Sequence, residues 1–331
     1  MTLGNAPIPT TLLSGFLGAG KTTLLQRILT DPRGVRYGVL VNDFGAVNID
    51  AELIAATEGE RISLTNGCVC CTIRDDLVEA VGRLLRSDPP PDRLLIEASG
   101  VSRPIAVVEA LRDPALGGRI ALDGLFCLVD AATFRDLDFS STELAIEQAA
   151  AADVVLLNKC DLAPAEDIAA VEATLRGSLP ALRLLPTRFA AVPRELLFGL
   201  GAGAAPRPDS SSQLHDHGHG HGHDHDHGHE HAEAFQAWSW QSEAPLDLAA
   251  FRAAVRRMPR GLLRAKGVLI FAERPEARGV FQLVGRRSTI EFVEGAAPRE
   301  SALVAIARSG GFDPAALSRL LDGCVAADQR R

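Results

Sequence analysis

The stretch Gly15-Phe16-Leu17-Gly18-Ala19-Gly20-Lys21-Thr22 narrows the fold of this chain more than any other. It fits G-x-x-x-x-G-K-[ST], follows an apolar run at residues 10–14, and opens a helical pattern from Lys21 to about Leu29. Glycines in such a turn let backbone amides swing towards a phosphate, and the helix N-terminus adds the positive end of its dipole. Gly15, Gly18, Ala19, Gly20, Lys21, Thr22 and Thr23 are therefore the expected cradle for a nucleoside triphosphate. In that arrangement Lys21 reaches the β- and γ-phosphates and the Thr22 hydroxyl ligates Mg²⁺.

Strand-length apolar runs continue along the chain at residues 38–41, 94–96, 125–129, 154–157 and 182–185. Amphipathic stretches at residues 73–86, 143–151 and 165–175 lie between several of them. Alternation of this kind predicts an α/β P-loop domain with a mostly parallel sheet, right-handed crossovers and helices on both faces. The pattern stops near Leu200. Residues 201–212 are rich in Gly, Ala, Pro and Ser and read as a linker. Order resumes near Phe235, where Trp238 and Trp240 alternate as in a half-buried strand. A helix is expected at 246–258, strands at 262–272, 280–284 and 289–293, and a helix opened by Asp313-Pro314 that leads to Cys324. The expected domains are a P-loop unit at 1–200, a linker at 201–234 and a smaller α+β unit at 235–331.

Two further segments bear on the nucleotide. The run Leu94-Leu95-Ile96 ends in Glu97, which holds the Mg²⁺ shell, or positions water at the γ-phosphate, or is a strand-end carboxylate facing solvent. With the cradle present, Lys21, Thr22 and Glu97 are the candidate catalytic residues. The tetrad Asn158-Lys159-Cys160-Asp161 follows the apolar run at 154–157. A carboxylate at Asp161 can accept from both N1–H and the exocyclic amine of guanine, whereas adenine offers no such donor pair. Asn158 either braces the loop or meets the base edge, and the Lys159 stem can cover the ring. GTP is thus expected over ATP. Asn42-Asp43 leaves the second strand where a γ-phosphate sensor belongs; Asp43 is either that sensor or a solvated loop acid. No glutamine or histidine beside these motifs stands out as the positioner of an attacking water.

Composition restricts the partners. Lys plus Arg total 34 against 42 for Asp plus Glu, a formal charge of -8, which argues against a nucleic-acid groove. The N-terminus lacks a basic region followed by a long apolar stretch, and every apolar run is too short for a bilayer. A cytoplasmic chain without membrane contact is expected. Six cysteines occur, and Cys68, Cys70 and Cys71 crowd one short loop. Neighbouring cysteines suit thiol chemistry in a reducing compartment better than a disulfide framework. Three thiols can bind Zn²⁺, Co²⁺ or Cu⁺, with Asp43 or a partner completing the set. A redox thiol pair and small buried residues are the alternatives. Cys127, Cys160 and Cys324 are isolated and read as core or neutral positions.

All nine histidines fall in one run, at His215, His217, His219, His221, His223, His225, His227, His229 and His231. A segment without apolar residues cannot bury a core and is expected to be disordered without a ligand. Its imidazoles suit capture or buffering of Zn²⁺, Ni²⁺ or Co²⁺; a plain polar linker is the alternative.

Together these residues resemble the CobW-like family of metallochaperone GTPases. The resemblance is carried by residues 14–23, 41–50, 63–77 (SLTNGCVCCTIRDDL), 95–104, 147–162 and 261–267 (GLLRAKG). It implies a GTP- and Mg²⁺-dependent GTPase that carries a transition metal, zinc or cobalt, in the cysteine loop and delivers it to a client metalloprotein on hydrolysis. The family usually has acids at the positions of Asp43 and Ala46; the alanine here removes one. A zinc chaperone is the leading reading. A cobalt chaperone for cobalamin biosynthesis uses the same parts, and a non-catalytic metal buffer is the alternative from another class. A nickel-inserting GTPase also carries histidine tracts, but the cysteine loop and the module around Arg264 and Lys266 speak against it. Those two residues either dock the module or form an exposed basic strand.

Overall fold

The structure, a computed structural model, describes residues 7–41, 61–63, 72–199, 235–294 and 298–326. Asp43, Ala46, Cys68, Cys70, Cys71 and the histidine run, with the readings attached to them, lie outside the described residues. The chain separates into two compact units, Met1–Leu197 and Phe198–Arg331.

The first unit is built on seven strands: β1 (Ile8–Gly15), β2 (Tyr37–Val41), β3 (Arg61–Ser63), β4 (Arg93–Glu97), β5 (Ile120–Asp130), β6 (Val154–Asn158) and β7 (Leu184–Pro186). They lie in the order β3-β2-β4-β1-β5-β6-β7, and every pair is parallel. Parallel neighbours cannot be joined by a tight hairpin, and the connections among the described residues carry helices. These are α1 (Lys21–Thr30), α2 (Thr72–Leu84), α3 (Pro104–Ala110), α4 (Phe139–Ala151) and α5 (Ala165–Ser178), with the short α6 (Arg194–Phe198) at the end. Successive side chains on a strand point to opposite faces, and Leu12, Leu13 and all of Val154, Val155, Leu156 and Leu157 are buried. Both faces are therefore covered, which is why these strands read as unbroken apolar runs. Leu12, Leu40 and Ile96 share one core with Leu77, Val81 and Leu84 of α2 and Val171 and Leu175 of α5.

Where the strands start and stop departs from the sequence expectation at charged positions. β5 begins at Ile120 rather than 125, because Asp123 within it is buried in an ion pair with Arg93 of β4 at 2.5 Å. α4 begins at Phe139 rather than 143, because the Asp138 carboxylate accepts from the Ser141 backbone N–H at 2.7 Å and caps a poorly helix-forming Ser-Ser-Thr start. The register places Gly15 beside Leu128, Leu13 and Val41 beside Glu97, and Asp130 beside Asn158. The carboxyl ends of β1, β2, β4, β5 and β6 thus share one edge, where β1 stands between the two halves of the sheet. Ligands of open α/β sheets bind at such an edge.

The second unit is an antiparallel sheet, β8 (Phe235–Ser242), β9 (Leu262–Leu269), β10 (Ala277–Val284), β11 (Arg287–Glu294) and β12 (Ser301–Arg308), ordered β11-β10-β9-β12-β8. Helices α7 (Leu248–Arg257) and α8 (Pro314–Asp322) share its core with Trp240, Phe271, Phe281 and Leu303. Phe251 of α7 meets Phe271 and Phe281 edge-on, with centroids 5.6 and 5.1 Å away. Asp313 caps α8 by accepting from the Ala315 N–H at 2.9 Å, with Pro314 in the first turn. The Trp240 indole N–H donates to Asp322 at 2.8 Å and ties β8 to that helix. Arg264 is only 1% exposed within β9, so an exposed basic strand is not its setting. Among the described residues no helix is long and apolar enough to cross a membrane.

Candidate functional site

The chain leaves β1 at Gly15 and re-enters regular structure at Lys21, with positive φ at Gly15 (133°), Gly18 (74°) and Gly20 (103°). Each glycine has a local reason. A Cβ on Gly15 would sit 2.2 Å from the Leu128 carbonyl oxygen, and one on Gly20 would sit 2.4 Å from the Asn158 amide nitrogen. At Gly15 and Gly20, where the turn presses against β5 and β6, only a residue without a side chain fits, while Gly18 faces open space and is required by its positive φ alone. Lys21, 7% exposed, donates from Nζ to the carbonyls of Gly15 at 3.0 Å and Phe16 at 3.2 Å, so its ammonium lies inside the turn. Ala19 is buried, Gly18 and Thr23 exposed.

Thr22 and Glu97 come from opposite ends of the motif list and meet here. The Thr22 hydroxyl donates to Glu97 Oε1 at 2.8 Å, and Glu97 is 5% exposed. The solvated strand-end reading of Glu97 does not hold. A hydroxyl and a carboxylate side by side are a hard-oxygen donor set, the kind that suits Mg²⁺ bound with a nucleoside triphosphate.

Asn158 is a brace. Its Nδ2 donates to the Ala19 carbonyl at 2.9 Å, while its Oδ1 accepts from the Ala190 N–H at 2.8 Å and from the Thr187 hydroxyl at 3.2 Å. One buried amide thus ties the cradle, the end of β6 and the turn after β7. That turn holds Phe189 and Ala190 at φ 52° and 53°, a left-handed conformation rare for such residues. Lys159 also has positive φ, 62°, and its Nζ pairs with Asp130 Oδ2 at 2.8 Å. Asp161 is exposed, where a base edge can reach it.

Four contributors escaped the motif analysis. Asp130, Thr187 and Ala190 act through partners distant in sequence. Gln148 of α4 is fully buried and donates from Nε2 to the carbonyls of Gly100 at 3.0 Å and Ser102 at 2.9 Å, in the loop that follows Glu97. An apolar neighbourhood on a helix gives no sequence signal for such a contact; a lone polar residue on the buried face of α4 was the one available hint.

Cys127 and Cys324 are buried and Cys160 is half-buried, and each thiol lies near a backbone carbonyl. Burial pushes the Cys127 thiol up to about 12, against a small opposing pull from the Lys21 charge. A thiol held neutral and out of solvent is inert. Alkylation of the native protein at mildly alkaline pH should leave Cys127 unmodified until denaturant is added, as read by peptide mass spectrometry; rapid native labelling would contradict its placement. Among the described residues no group of three or more His, Cys, Asp or Glu side chains could hold a metal ion.

Residues 9–185 match the family profile described as CobW/HypB/UreG, nucleotide-binding domain, and residues 235–325 match the Cobalamin synthesis protein cobW C-terminal domain. The chain belongs to this family of P-loop nucleotide-binding proteins. It is 34% identical over 223 residues to the zinc chaperone CobW of a Sinorhizobium species, covering 59% of this chain and 63% of that protein. It is 39% identical over 162 residues to the zinc chaperone YjiA of Escherichia coli, covering 47% and 51% respectively. A zinc-regulated GTPase metalloprotein activator of Dictyostelium discoideum is 33% identical over 235 residues, 60% of this chain and 49% of the other. These matches span less than two thirds of each relative's own length. The Zn(II)-bound YjiA GTPase crystal structure aligns with 97% of this chain and 100% of its own at 22% identity and a TM-score of 0.45, too loose for residue correspondences.

Proposed function

We propose that this protein is a GTP-hydrolysing metallochaperone that holds a transition metal, zinc by preference, at Cys68, Cys70 and Cys71 and hands it to a client metalloprotein. The observation that carries the nucleotide half is the meeting of Lys21, Thr22, Glu97 and Asn158 at one sheet edge. Lys21 neutralises phosphate charge, Thr22 and Glu97 supply oxygens to Mg²⁺, and Asp161 reads guanine. Mg²⁺ held by Thr22 and Glu97 would supply positive charge to offset that of the phosphates. The metal half is supported by the run Cys68, Cys70 and Cys71 and by the nature of the relatives, two zinc chaperones and a zinc-regulated GTPase metalloprotein activator. Asp43, two residues past the end of β2 in the sequence, is proposed to join nucleotide state to metal state. The histidine run, His215 to His231, is proposed to gather metal ahead of transfer. The proposed domain limits are 1–200, 201–234 and 235–331.

The test is a titration of Zn²⁺ against Co²⁺ on the full chain with GTP, with GDP and without nucleotide. Linkage requires that metal and GTP change each other's affinity by the same factor. We expect Zn²⁺ affinity at least about tenfold higher with GTP than with GDP, a coupling of ~1.4 kcal/mol, and its loss in Cys70→Ser. Equal metal affinity in all three states would sink the coupling. The name of the C-terminal profile, cobalamin synthesis, favours a cobalt cargo as the second reading; tighter Co²⁺ than Zn²⁺ in the same titration would select it.

A further inference from the structure

Gln148 lies outside the phosphate cradle, the strand that ends in Glu97 and the Asn158–Asp161 tetrad, though within the family-like stretch 147–162, and it holds the segment that leaves Glu97. Both hydrogens of its side-chain amide are used, on Gly100 O at 3.0 Å and Ser102 O at 2.9 Å. Two carbonyl acceptors settle the orientation of the amide, because an oxygen in that place would face two other oxygens. Its Oε1 is buried and has no hydrogen-bond partner among the described residues. The same side chain lines a cleft with Phe16 and Leu17 of the phosphate cradle and with Asp130, the partner of Lys159.

The loop held by Gln148 presses on the cradle itself. A Cβ on Gly100 would fall 2.8 Å from the Leu17 backbone nitrogen and 2.5 Å from its side chain, so the Gly100 backbone and the cradle are in direct contact. The Ser99 carbonyl accepts from both the N–H and the hydroxyl of Ser102, at 3.1 and 2.9 Å, which closes the loop into a tight turn. Glu97 enters this turn already bonded to Thr22. A movement that parts the turn from α4 must break two hydrogen bonds made by the buried Gln148 amide.

We propose that Gln148 is a positioning residue for GTP turnover: its amide fixes the Gly100 and Ser102 carbonyls, and through them the placement of Glu97's loop against the cradle. This role rests on the nucleotide reading above and touches no substrate atom. It accounts for a polar side chain kept on the buried face of α4, where apolar packing alone would suffice.

The test uses the full chain with Gln148→Leu and Gln148→Glu, assayed for GTP hydrolysis beside wild type. Q148L fills the site but donates nothing; kcat should fall about tenfold to a hundredfold, with KM for GTP and affinity for GDP within about twofold. Q148E presents a carboxylate to two carbonyls at neutral pH and regains one O–H donor when protonated. Its rate relative to wild type should therefore climb as pH falls, while the Q148L ratio stays flat. Wild-type kcat in Q148L overturns the proposal, and so does a slow Q148E whose ratio to wild type ignores pH, since that marks a packing role only. An absence of GTP turnover in wild type would instead sink the nucleotide reading on which the proposal stands.

Discussion

Replacing Lys21 by alanine is expected to lower GTP turnover at least about a hundredfold, ~2.7 kcal/mol of lost transition-state stabilisation. Lys21 is 7% exposed, and its ammonium donates to the Gly15 and Phe16 carbonyls, already inside the turn that would surround the phosphates. A donor fixed where negative charge develops acts without reorganising, which is the source of its large effect. Removing it takes two hydrogen bonds from carbonyls of an exposed-edged turn and leaves the sheet beneath intact, so the melting temperature should move by only a few degrees, roughly. Turnover of the variant equal to wild type, at saturating GTP, would favour a metal buffer whose nucleotide site does no chemistry.

Asn158→Ala should strongly destabilise the nucleotide-binding unit. The buried amide makes three hydrogen bonds, to Ala19 O, from Ala190 N and from Thr187 Oγ1. Losing them strands buried partners at about 1 kcal/mol each, so ~3 kcal/mol in all. For a unit of this size that is a fall on the order of 6–12 °C in melting temperature. Nucleotide affinity should drop as well, because the left-handed turn at Phe189 and Ala190 loses the acceptor that holds it. Scanning calorimetry of the full chain checks the first effect; a shift of under a degree or so would mean that Asn158 is not the brace its distances describe. Asp161→Ala makes an informative contrast, since that exposed side chain can be removed with little cost to the fold.

The nucleotide half of the site was legible because it is written in contiguous residues. Gly15 to Thr22 carries its own strand, turn and helix start, and Asn158 to Asp161 follows an unbroken apolar run. Their meeting with Glu97 at one edge follows from parallel strands alone. What lay hidden was contact at a distance: Gln148 on Gly100, Asp130 on Lys159, and Thr187 and Ala190 on Asn158, each pairing elements that only the sheet order brings together. The strand at Ser301–Arg308 was missed for a different reason. Its sequence, SALVAIAR, is rich in alanine, a poor strand former in isolation. It is an inner strand of the antiparallel sheet, between β9 and the edge strand β8, where pairing with both neighbours overrides propensity.

The sheet order also bears on how the chain is made. β1 and the cradle leave the ribosome before the other strands of their sheet, but β1 sits between β4 and β5, and Gly15 lies beside Leu128. No hairpin can shelter the strand in the meantime, and non-local parallel pairing is slow to form. The nascent cradle therefore has no wall until β5 has emerged, and the Asn158 brace must wait for β6 and for the turn that follows β7. Nucleotide can stabilise this unit only once synthesis has passed Ala190. Until then the apolar β1 depends on whatever else in the cell shields an exposed strand.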